Sequence, residues 1–451
     1  MQDCKRAQVT VDFSKGRGKL RKLLHGVNYM PNISSQSIFD FSEDYAKMHF
    51  TVARTHDQAL NNAGQRIVDT HLIFSRFDAD AEDEKNYFFD ATDHLLQTTL
   101  KCGTQIYYRL GTSIEHTLDD HHFNTRVPAD FQQYAKILSG IIRHYNYGWA
   151  NGFHMNIPIW EIWNEPNSNN FWYPQADAGA YMALLHAAYR AINAAAPEVP
   201  VLHGGIACCR EHRINFGFME QLFERGLSDC CDIINLHPYS GPNVPETEFD
   251  ATFDRFAEMM RRHRCAKPVW LTELGTPVHS RFVPTETEQA FHLARHWLTS
   301  MKRPEIERLY WYDFRDDGDD PANFEHHFGI IAADFRLKPA YHACREMNRQ
   351  LAGAEYRGES AIPGGGRLIR FERPDDTLFL LWSDARQTRL LRGIGFDLTE
   401  TTMTGLPCPL FRKQDTIDLT IGPEPVQLLL AKADADRFQQ ALLHSTALIG
   451  I

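Results

Sequence analysis

Several features are missing from this 451-residue chain, and each absence excludes a class of protein. No apolar run approaches the ~20 residues that a membrane-spanning helix needs, so we expect no membrane partner. The formal net charge is -11 and no dense basic stripe is visible, which argues against a nucleic-acid partner. A neutral or weakly charged small ligand fits this composition better.

The cysteine and histidine patterns exclude the common disulfide and metal frameworks. The nine cysteines are an odd set, and the adjacent pairs Cys208–Cys209 and Cys230–Cys231 suit neither a disulfide framework nor paired C-x-x-C zinc ligands. The 22 histidines include no H-x-H or H-E-x-x-H spacing. We therefore expect reduced thiols, no metal and no cofactor, an expectation that a test of chelator sensitivity can check.

The amino terminus gives an expectation about location. The residues from Met1 to Arg6 are charged, and no apolar segment of the kind found in secretory signals follows them. We expect a cytoplasmic protein, or a secreted one if a signal was removed. The sequence leaves a monomer and a homo-oligomer equally open.

Strand-like and helix-like patterns alternate through most of the chain. The expected strands are 23–29, 50–57, 104–111, 157–164, 199–206, 231–237, 267–275 and 306–313. The expected helices are 39–48, 90–101, 128–145, 177–195, 216–225, 249–263, 286–301 and 340–351, the third of them with Pro128 in its first turn. This alternation predicts an α/β fold, a (β/α)8 TIM barrel spanning residues 14–353.

Beyond residue 354 the pattern changes to short strands separated by turn residues. These strands are expected at 368–372, 378–383, 393–398, 416–421 and 426–431. They predict a small accessory antiparallel β-domain, sandwich-like, over 354–433, completed by a strand at 7–13, with 434–451 as a C-terminal tail that carries a peripheral helix. The acidic run at 78–84 predicts a solvated loop, because the glycine and carbonyl spacing of an EF-hand is missing.

Two of the expected barrel strands end at a carboxylate. Apolar and aromatic residues alternate over 159–163, and Pro166 prevents further pairing, so Asn164 and Glu165 lie at the carboxyl end of the fourth strand. The seventh strand ends at Glu273. In a (β/α)8 barrel this end of the strands carries the chemistry, so both glutamates are candidate catalytic residues.

Two carboxyl groups that face one cleft are the equipment for cleaving a glycosidic bond. If Glu165 and Glu273 lie ~5 to 5.5 Å apart, one acts as nucleophile, the other as acid/base, and the anomeric configuration is retained. Arg54, at the end of the second strand, is expected to hold one glutamate ionised. Burial beside Trp163 is expected to keep the other protonated.

Further side chains near the strand ends could contact a sugar. Asn164 could donate an amide hydrogen bond to a hydroxyl group. Four aromatic side chains could offer flat surfaces to a pyranose, although packing in the core explains each of them equally well: Trp163, Trp172, Tyr239 and Trp311. For His237, a place in the core is as good an explanation as binding a hydroxyl group.

Residues 160–167 read Trp-Glu-Ile-Trp-Asn-Glu-Pro-Asn and are followed by Phe171-Trp172. This segment resembles the acid/base segment of glycoside hydrolase family 39, which contains β-xylosidases and α-L-iduronidases within the clan A barrels. Residues 52–56, 235–239 and 270–273 look like the ends of the second, sixth and seventh strands of the same family. The resemblance covers the barrel and, more loosely, the trailing β-domain.

The resemblance implies Glu165 as acid/base and Glu273 as nucleophile. It also implies that three polar side chains contact the sugar or the carboxylates: Asn164, His56 and His237.

The leading interpretation is a retaining glycoside hydrolase, most simply a β-xylosidase-like exo-glycosidase acting on plant or microbial oligosaccharides or polysaccharides. The residues after Glu273, Leu-Gly-Thr-Pro, differ from the family pattern, so the sugar stays open. An arabinosidase, a galactosidase, a uronidase or an endo-acting exopolysaccharide hydrolase are the alternatives. A non-catalytic carbohydrate-binding barrel is the alternative from another class, and the presence of both glutamates argues against it.

Overall fold

The structure is a computed structural model that describes residues 26–31, 40–55, 70–111, 125–209 and 212–448. The expected strand at 7–13 lies outside the described residues, and so do the beginning of the first barrel strand and His56. Among the described helices, none combines the length and apolar character needed to cross a membrane. All eight cysteines within the described ranges carry free thiols.

The barrel strands form one curled parallel sheet. In the described ranges they are β1 (Gly26–Asn28), β2 (Val52–Arg54), β3 (Gln105–Leu110), β4 (Ile159–Ile162), β5 (Val201–His203), β6 (Ile206–Ala207), β7 (Ile234–His237), β8 (Val269–Leu274) and β9 (Ile306–Trp311). Their order in the sheet is β5-β4-β3-β2-β1-β9-β8-β7-β6. A parallel bridge between Leu202 and Ile233 joins β5 to the start of β7. The sheet therefore closes, and β5 and β6 are two halves of the fifth barrel strand, which confirms the (β/α)8 barrel.

Helices surround this sheet. They are α1 (Ser42–Met48), α2 (Thr70–Ile73), α3 (Asp90–Lys101), α4 (Phe131–Tyr147), α5 (Ala178–Ala195), α6 (Phe216–Glu224), α7 (Phe249–Arg262), α8 (Glu286–Met301) and α9 (Pro339–Leu351). The prediction that Pro128 lies in the first turn of α4 is wrong. The helix begins at Phe131 because the Asp130 side chain accepts the N–H groups of Gln132 and Gln133.

The inward-facing residues of the barrel strands divide into two layers. The lower layer is an apolar cluster that fills the barrel below the site: Val52, Tyr107, Ile159, Leu202, Ile233, Trp270 and Tyr310. Two residues further along their strands, Arg54, Glu161, Asn235 and Thr272 occupy the next inward positions and are buried. Because successive side chains on a strand alternate between faces, each polar residue lies directly above its apolar neighbour. The polar layer therefore rests on a packed floor.

The β-domain contains two antiparallel sheets around its own core. Its strands are β10 (Glu355–Ile362), β11 (Gly366–Glu372), β12 (Asp376–Ser383), β13 (Gln387–Arg392), β14 (Leu398–Thr401), β15 (Pro407–Cys408), β16 (Phe411–Lys413), β17 (Thr416–Ile421), β18 (Val426–Ala431) and β19 (Thr446–Leu448). The predicted strand at 393–398 is wrong, because residues 393–397 connect β13 to β14 and only Leu398 belongs to a strand.

The predicted tail belongs to this domain rather than standing apart from it. The helix α10 (Ala435–Leu443) buries Phe438 and Leu442 in the core of the β-domain. The strand β19 pairs with β13. The opposite face of the larger sheet, with Phe371 and Leu380, joins the hydrophobic core of the barrel.

The acidic run at 78–84 is a surface loop, as its composition predicts. Its acidic side chains are exposed, while Ala79 and Ala81 point into the core. Asp83 caps the short 3-10 turn Glu84–Asn86, and Glu82 pairs with Arg143 on α4 at 2.9 Å. The loop therefore packs on the side of the barrel, through its alanines and this ion pair.

Candidate active site

Glu165 and Glu273 both lie at the carboxyl end of the barrel. Glu273 is part of β8, whereas Glu165 follows β4 by three residues. The chain turns sharply there, since Trp163 and Glu165 have positive φ angles of 77° and 42°, which are uncommon for residues other than glycine. The Glu165 N–H donates to the Gly205 carbonyl at 3.0 Å, which fixes the turn against the fifth barrel strand.

Arg54 is the central cation of the site and is fully buried. Its Nε and Nη2 donate to the two carboxylate oxygens of Glu161 at 2.7 and 3.0 Å. Its Nη1 donates to Glu273 Oε1 at 2.6 Å and to Asn28 Oδ1 at 2.8 Å. Its Nη2 also donates to Asn164 Oδ1 at 2.9 Å. All five guanidinium N–H groups are therefore used, and Arg54 sets the positions of both carboxylates.

Glu161 is a buried carboxylate, and its position within β4 gave no prediction that it belongs to the site. Besides Arg54 it accepts hydrogen bonds from the Tyr107 hydroxyl at 2.6 Å, the Gly205 N–H at 2.9 Å and the Asn235 amide at 2.9 Å. Burial on its own would raise the pKa of Glu161, but the charge and hydrogen bonds of Arg54 outweigh burial, and this pKa is lowered. Glu161 is therefore an anion that holds the site together from below.

Glu273 receives donors on both of its oxygens. Arg54 contacts Oε1, and the Tyr239 hydroxyl donates to Oε2 at 3.1 Å. Burial and the nearby charge of Glu273 raise the pKa of Tyr239 well above its ordinary value, so the phenol keeps its proton and donates it. These donors favour the carboxylate form of Glu273, as a nucleophile requires.

Glu165 is bonded to a histidine instead. His237 Nδ1 lies 2.8 Å from Glu165 Oε1 and 3.5 Å from Glu273 Oε2, so the imidazole stands between the two candidate catalytic carboxylates. Its Nε2 lies 2.9 Å from Thr272 Oγ1. A Cβ on Gly205 would come within 1.9 Å of His237 Nε2, so the glycine makes room for the ring.

Asn164 is fixed in one orientation by Arg54. Its Oδ1 accepts the arginine's hydrogen bond, so its Nδ2 is the end that faces away with two protons to donate. Asn164 also lines the cavity above the two glutamates. This placement is compatible with a hydrogen bond to a sugar hydroxyl group.

The structure corrects the expected roles of three tryptophans. Trp163, Trp172 and Trp311 are all at most 1% exposed, so none presents a face to a sugar. The indole of Trp163 packs edge-on against that of Trp172, with ring centroids 5.2 Å apart. Other aromatic side chains line the cavity: Tyr29, Phe171, Tyr239, Phe282, Tyr312, Phe324 and Phe328.

The cavity itself has a volume of about 780 Å³ and an acidic lining. Asp317 and Glu325 line it together with the two catalytic candidates, and the described lining residues include no lysine or arginine. Burial, and then the charges of Glu165 and Glu273, raise the pKa of Glu325 to about 7. The Tyr29 hydroxyl lies 3.1 Å from Asp317 and donates to it. No sequence pattern marks these residues, because Asp317 and the short 3-10 turn that carries Glu325 both lie in the long connection from β9 to α9.

Glu165, His237 and Glu273 also have the spacing that a metal ion would need. One ligand atom from each lies within 4.8 Å of the others, and in the described part of the chain they are the one such group. The hydrogen bonds among these side chains and their neighbours account for this spacing without an ion. The expectation that no metal is required stays a prediction.

The barrel is similar in sequence and structure to known glycoside hydrolases. Residues 156–328, which carry both glutamates, match the family model described as glycosyl hydrolase catalytic core. The chain is 21% identical over 378 residues to a β-xylosidase from Geobacillus stearothermophilus, covering 75% of this chain and 68% of that relative. It is also similar to the solved structure of a family 39 glycoside hydrolase from Bacteroides cellulosilyticus WH2, with a TM-score of 0.69, 21% identity, and 91% and 81% of the two chains covered.

The chain is a glycoside hydrolase. Its similarity to the β-xylosidase and to the family 39 structure supports the resemblance seen at the strand ends. A glucosidase from Croceicoccus marinus has a similar fold, with a TM-score of 0.68, 16% identity, and 92% and 96% of the two chains covered.

In this glycoside hydrolase, six of the predicted site residues lie together at the carboxyl end of the barrel: Arg54, Asn164, Glu165, His237, Tyr239 and Glu273. The expected contacts of His56 lie outside the described residues. Arg109, which belongs to β3, and Arg315, which follows β9, do not line the cavity. Arg109 is buried, and Arg315 stacks on Phe335.

Proposed function

We propose that this enzyme is a retaining exo-glycosidase of the β-xylosidase type. The observation that carries the proposal is the separation of the two glutamates, whose nearest ligand atoms lie within 4.8 Å of each other. Retaining enzymes have carboxyl groups about 5 to 5.5 Å apart, whereas inverting enzymes need roughly 6.5 to 9.5 Å to admit a water molecule between them. The close spacing supports a double displacement.

The different partners of the two carboxylates assign their roles. Glu273, held ionised by Arg54 and Tyr239, attacks the anomeric carbon while Glu165 gives its proton to the departing glycosidic oxygen. Water then attacks the glycosyl-enzyme, Glu165 takes a proton from that water, and the ester to Glu273 breaks. Both steps use hydrogen bonds that are already formed, from Arg54 and Tyr239 to Glu273 and between His237 and Glu165.

The acidic cavity supports a neutral sugar. Asp317 and Glu325 would repel the carboxylate of a uronic acid, and no described lysine or arginine lines the cavity to offset that repulsion. A xyloside carries no such carboxylate, and the curated relative named above is a β-xylosidase. Glucosides, arabinosides and galactosides are the neutral alternatives. The glucosidase with a similar fold is the reason to include glucosides among them.

A panel of aryl glycosides tests the proposal: β-xyloside, α-L-arabinoside, β-galactoside, β-glucoside and α-L-iduronide. We expect turnover of at least one neutral sugar and none of the iduronide. Glu273→Ala should lose this turnover and recover it with azide, giving a glycosyl azide of inverted configuration. Glu165→Ala with azide should give the retained configuration, since its nucleophile is intact.

The control is Glu258→Ala, which removes an exposed glutamate paired with Arg261 on α7. It should leave turnover unchanged. Full activity in Glu273→Ala, or hydrolysis with net inversion by the wild type, would contradict the proposed mechanism. Efficient hydrolysis of the iduronide would contradict the proposed neutral substrate.

A further inference from the structure

The hydrogen bonds behind Glu165 determine where individual protons lie. Asn235 Nδ2 donates to Glu161 Oε1 at 2.9 Å and to the His203 carbonyl at 3.1 Å, so the other end of this amide, Oδ1, is an acceptor. Thr272 Oγ1 lies 2.6 Å from Oδ1. A hydroxyl group has one proton, and an amide oxygen can only accept, so Thr272 donates its proton to Asn235.

The orientation of Thr272 fixes the tautomer of His237. Nε2 of the ring lies 2.9 Å from the same hydroxyl oxygen. Because the proton of Thr272 is committed to Asn235, the hydroxyl can only accept from the ring, and Nε2 must carry a proton. A neutral ring protonated on Nε2 has no proton on Nδ1.

That leaves a requirement at the catalytic carboxylate. His237 Nδ1 and Glu165 Oε1 are 2.8 Å apart, and neither a bare ring nitrogen nor a carboxylate oxygen can donate. One further proton must lie between them, either on Glu165 beside a neutral ring or on a histidinium beside a carboxylate. The pair therefore holds a proton that Glu165 can deliver.

We propose that Thr272 is a positioning residue, which fixes the tautomer of His237 and thereby keeps on the Glu165–His237 pair the proton that the first catalytic step consumes. This inference rests on the proposed function, in which Glu165 is the acid/base. In the first step the proton moves to the glycosidic oxygen as the bond from that oxygen to the anomeric carbon breaks and the bond to Glu273 forms. In the second step a proton from the attacking water returns to the pair.

The same arrangement strengthens the base in the second step. Once Glu165 has given up its proton, its carboxylate oxygen faces the bare Nδ1 lone pair of His237, and these two acceptors repel each other. Taking a proton from water removes the repulsion. Thr272 acts through His237, since the hydrogen bonds of its hydroxyl group go to His237 and Asn235 rather than to Glu165 or Glu273.

Other titratable groups also face the pair and influence how tightly it binds its proton. They are Glu273, Glu161, His203, Cys208, Tyr239 and Glu325. None of them hydrogen-bonds His237 Nε2 in the described structure, whose partner there is Thr272. A change at Thr272 therefore alters the tautomer while these charges stay in place.

The decisive variant is Thr272→Val, which keeps the shape of the buried side chain and removes the acceptor for Nε2. The ring is then free to carry its single proton on Nδ1 and to donate it to an ionised Glu165. The hydrogen bonds of the variant then no longer require a proton on Glu165. The variant should therefore lose the protonated, catalytically competent form of Glu165 at a lower pH than the wild type does. Thr272→Ser restores the hydroxyl group and should restore the wild-type behaviour.

The measurement is the pH dependence of kcat/KM for two aryl glycosides of the sugar found to be turned over. An unsubstituted phenyl glycoside needs acid assistance, whereas a dinitrophenyl glycoside does not, and kcat/KM reports the first step for both. For the phenyl substrate, Thr272→Val should move the alkaline limb about one pH unit lower, equivalent to roughly tenfold in rate. The dinitrophenyl substrate should keep its kcat/KM within roughly threefold of wild type.

Controls separate this inference from a structural effect. Thr99→Val changes a buried threonine on α3, far from the site in sequence, and should leave both profiles unchanged. An equal loss on both substrates in Thr272→Val would overturn the proposal, and so would a phenyl profile identical to the wild type. If the valine variant does not fold, Thr272→Ala is measured in the same way and the same outcomes apply.

Glu165→Ala tests the underlying function separately. It should lose kcat/KM for the phenyl glycoside and retain it for the dinitrophenyl glycoside. If it does not, the proposed role of Glu165 fails whatever Thr272 does. If it does, and Thr272→Val shows no dependence on the leaving group, only the role of Thr272 fails.

Discussion

Replacing Arg54 with lysine tests whether the fork of the guanidinium group holds the site together. Arg54 makes five hydrogen bonds, to Glu161, Glu273, Asn28 and Asn164. A lysine ammonium has three donors on an unforked chain, so at least two of the five bonds are lost. Hydrogen bonds to charged groups contribute about 1.5–3 kcal/mol each, so the free energy of unfolding should fall by about 3–6 kcal/mol.

Urea unfolding followed by tryptophan fluorescence measures this loss. The matched control is Arg261→Lys, the same substitution at an exposed arginine that makes two hydrogen bonds to Glu258. It should leave the unfolding midpoint unchanged, because solvent screens that pair. In Arg54→Lys the looser hold on Glu273 should also lower kcat by roughly 10²-fold.

The result that would refute this reasoning is specific. If Arg54→Lys shifts the midpoint no more than Arg261→Lys, the buried network does not depend on the guanidinium fork. If the midpoint falls but kcat is preserved, Arg54 stabilises the barrel through Glu161 without positioning Glu273.

Three further changes follow from the same geometry. Gly205→Ala places a Cβ 1.9 Å from His237 Nε2 and should lower both kcat and the unfolding midpoint. The control Gly395→Ala, where no atom lies within 4 Å of the added Cβ, should lower neither. Equal effects of the two substitutions would contradict the close approach at Gly205. The pKa of Glu325, raised to about 7 by burial, is above its unfolded value, so the stability it contributes below about pH 4.5 is lost as pH rises through 7. The unfolding midpoint of Glu325→Gln should therefore rise relative to that of the wild type as pH increases from 5 to 8. A difference in midpoint that does not change with pH would contradict this. Burial lowers the pKa of His203 to about 4, below its unfolded value, so its contribution is present above about pH 6.5 and is lost as pH falls through 4. His203→Gln should lose less stability than the wild type over that range, and parallel curves would contradict it.

The positions of the catalytic candidates could be predicted from the sequence because two simple rules meet at them. Side chains alternate along a strand, and parallel strands in a barrel bring their carboxyl ends to one face. Arg54, Glu165 and Glu273 each lie near the carboxyl end of a strand-like segment or just after it, so they lie together whatever the details of the helices. The same rules carry no information about burial of an individual aromatic side chain. The prediction that Trp172 and Trp311 offer a face to the sugar is therefore wrong, because both are buried in the core.

Other features depend on partners that a single segment does not reveal. The expected strand at 199–206 is interrupted at Gly204 and Gly205. The Gly205 N–H donates to Glu161 instead of to a neighbouring strand, and the absence of a side chain at Gly205 leaves the space that the His237 ring occupies. Residues 393–397 continue the alternation of a strand, yet on either side of them β17 pairs with β13 and β18 pairs with β14. Asp317 and Glu325 lie in the long connection from β9 to α9, which has no strand or helix periodicity apart from one 3-10 turn. In each case the structure is decided by contacts far along the chain.

Glu161 did leave a signal in the sequence, and its role follows from charge. It occupies an inward position on a fully buried strand, where an ionised carboxylate needs a buried cation as partner. The positive charge of Arg54 balances only one of the two carboxylates that it contacts, so the layer formed by Arg54, Glu161 and Glu273 has a formal charge of -1. The Glu165–His237 pair, with its shared proton, has a formal charge of zero. In the proposed mechanism, Glu273 becomes an ester and Glu165 gives its proton to the leaving oxygen. The layer then becomes neutral and the Glu165–His237 pair becomes an anion, so the total stays at -1. In that mechanism, Glu161 would keep the site anionic throughout, and this charge would stabilise the positive charge that develops on the sugar in both transition states.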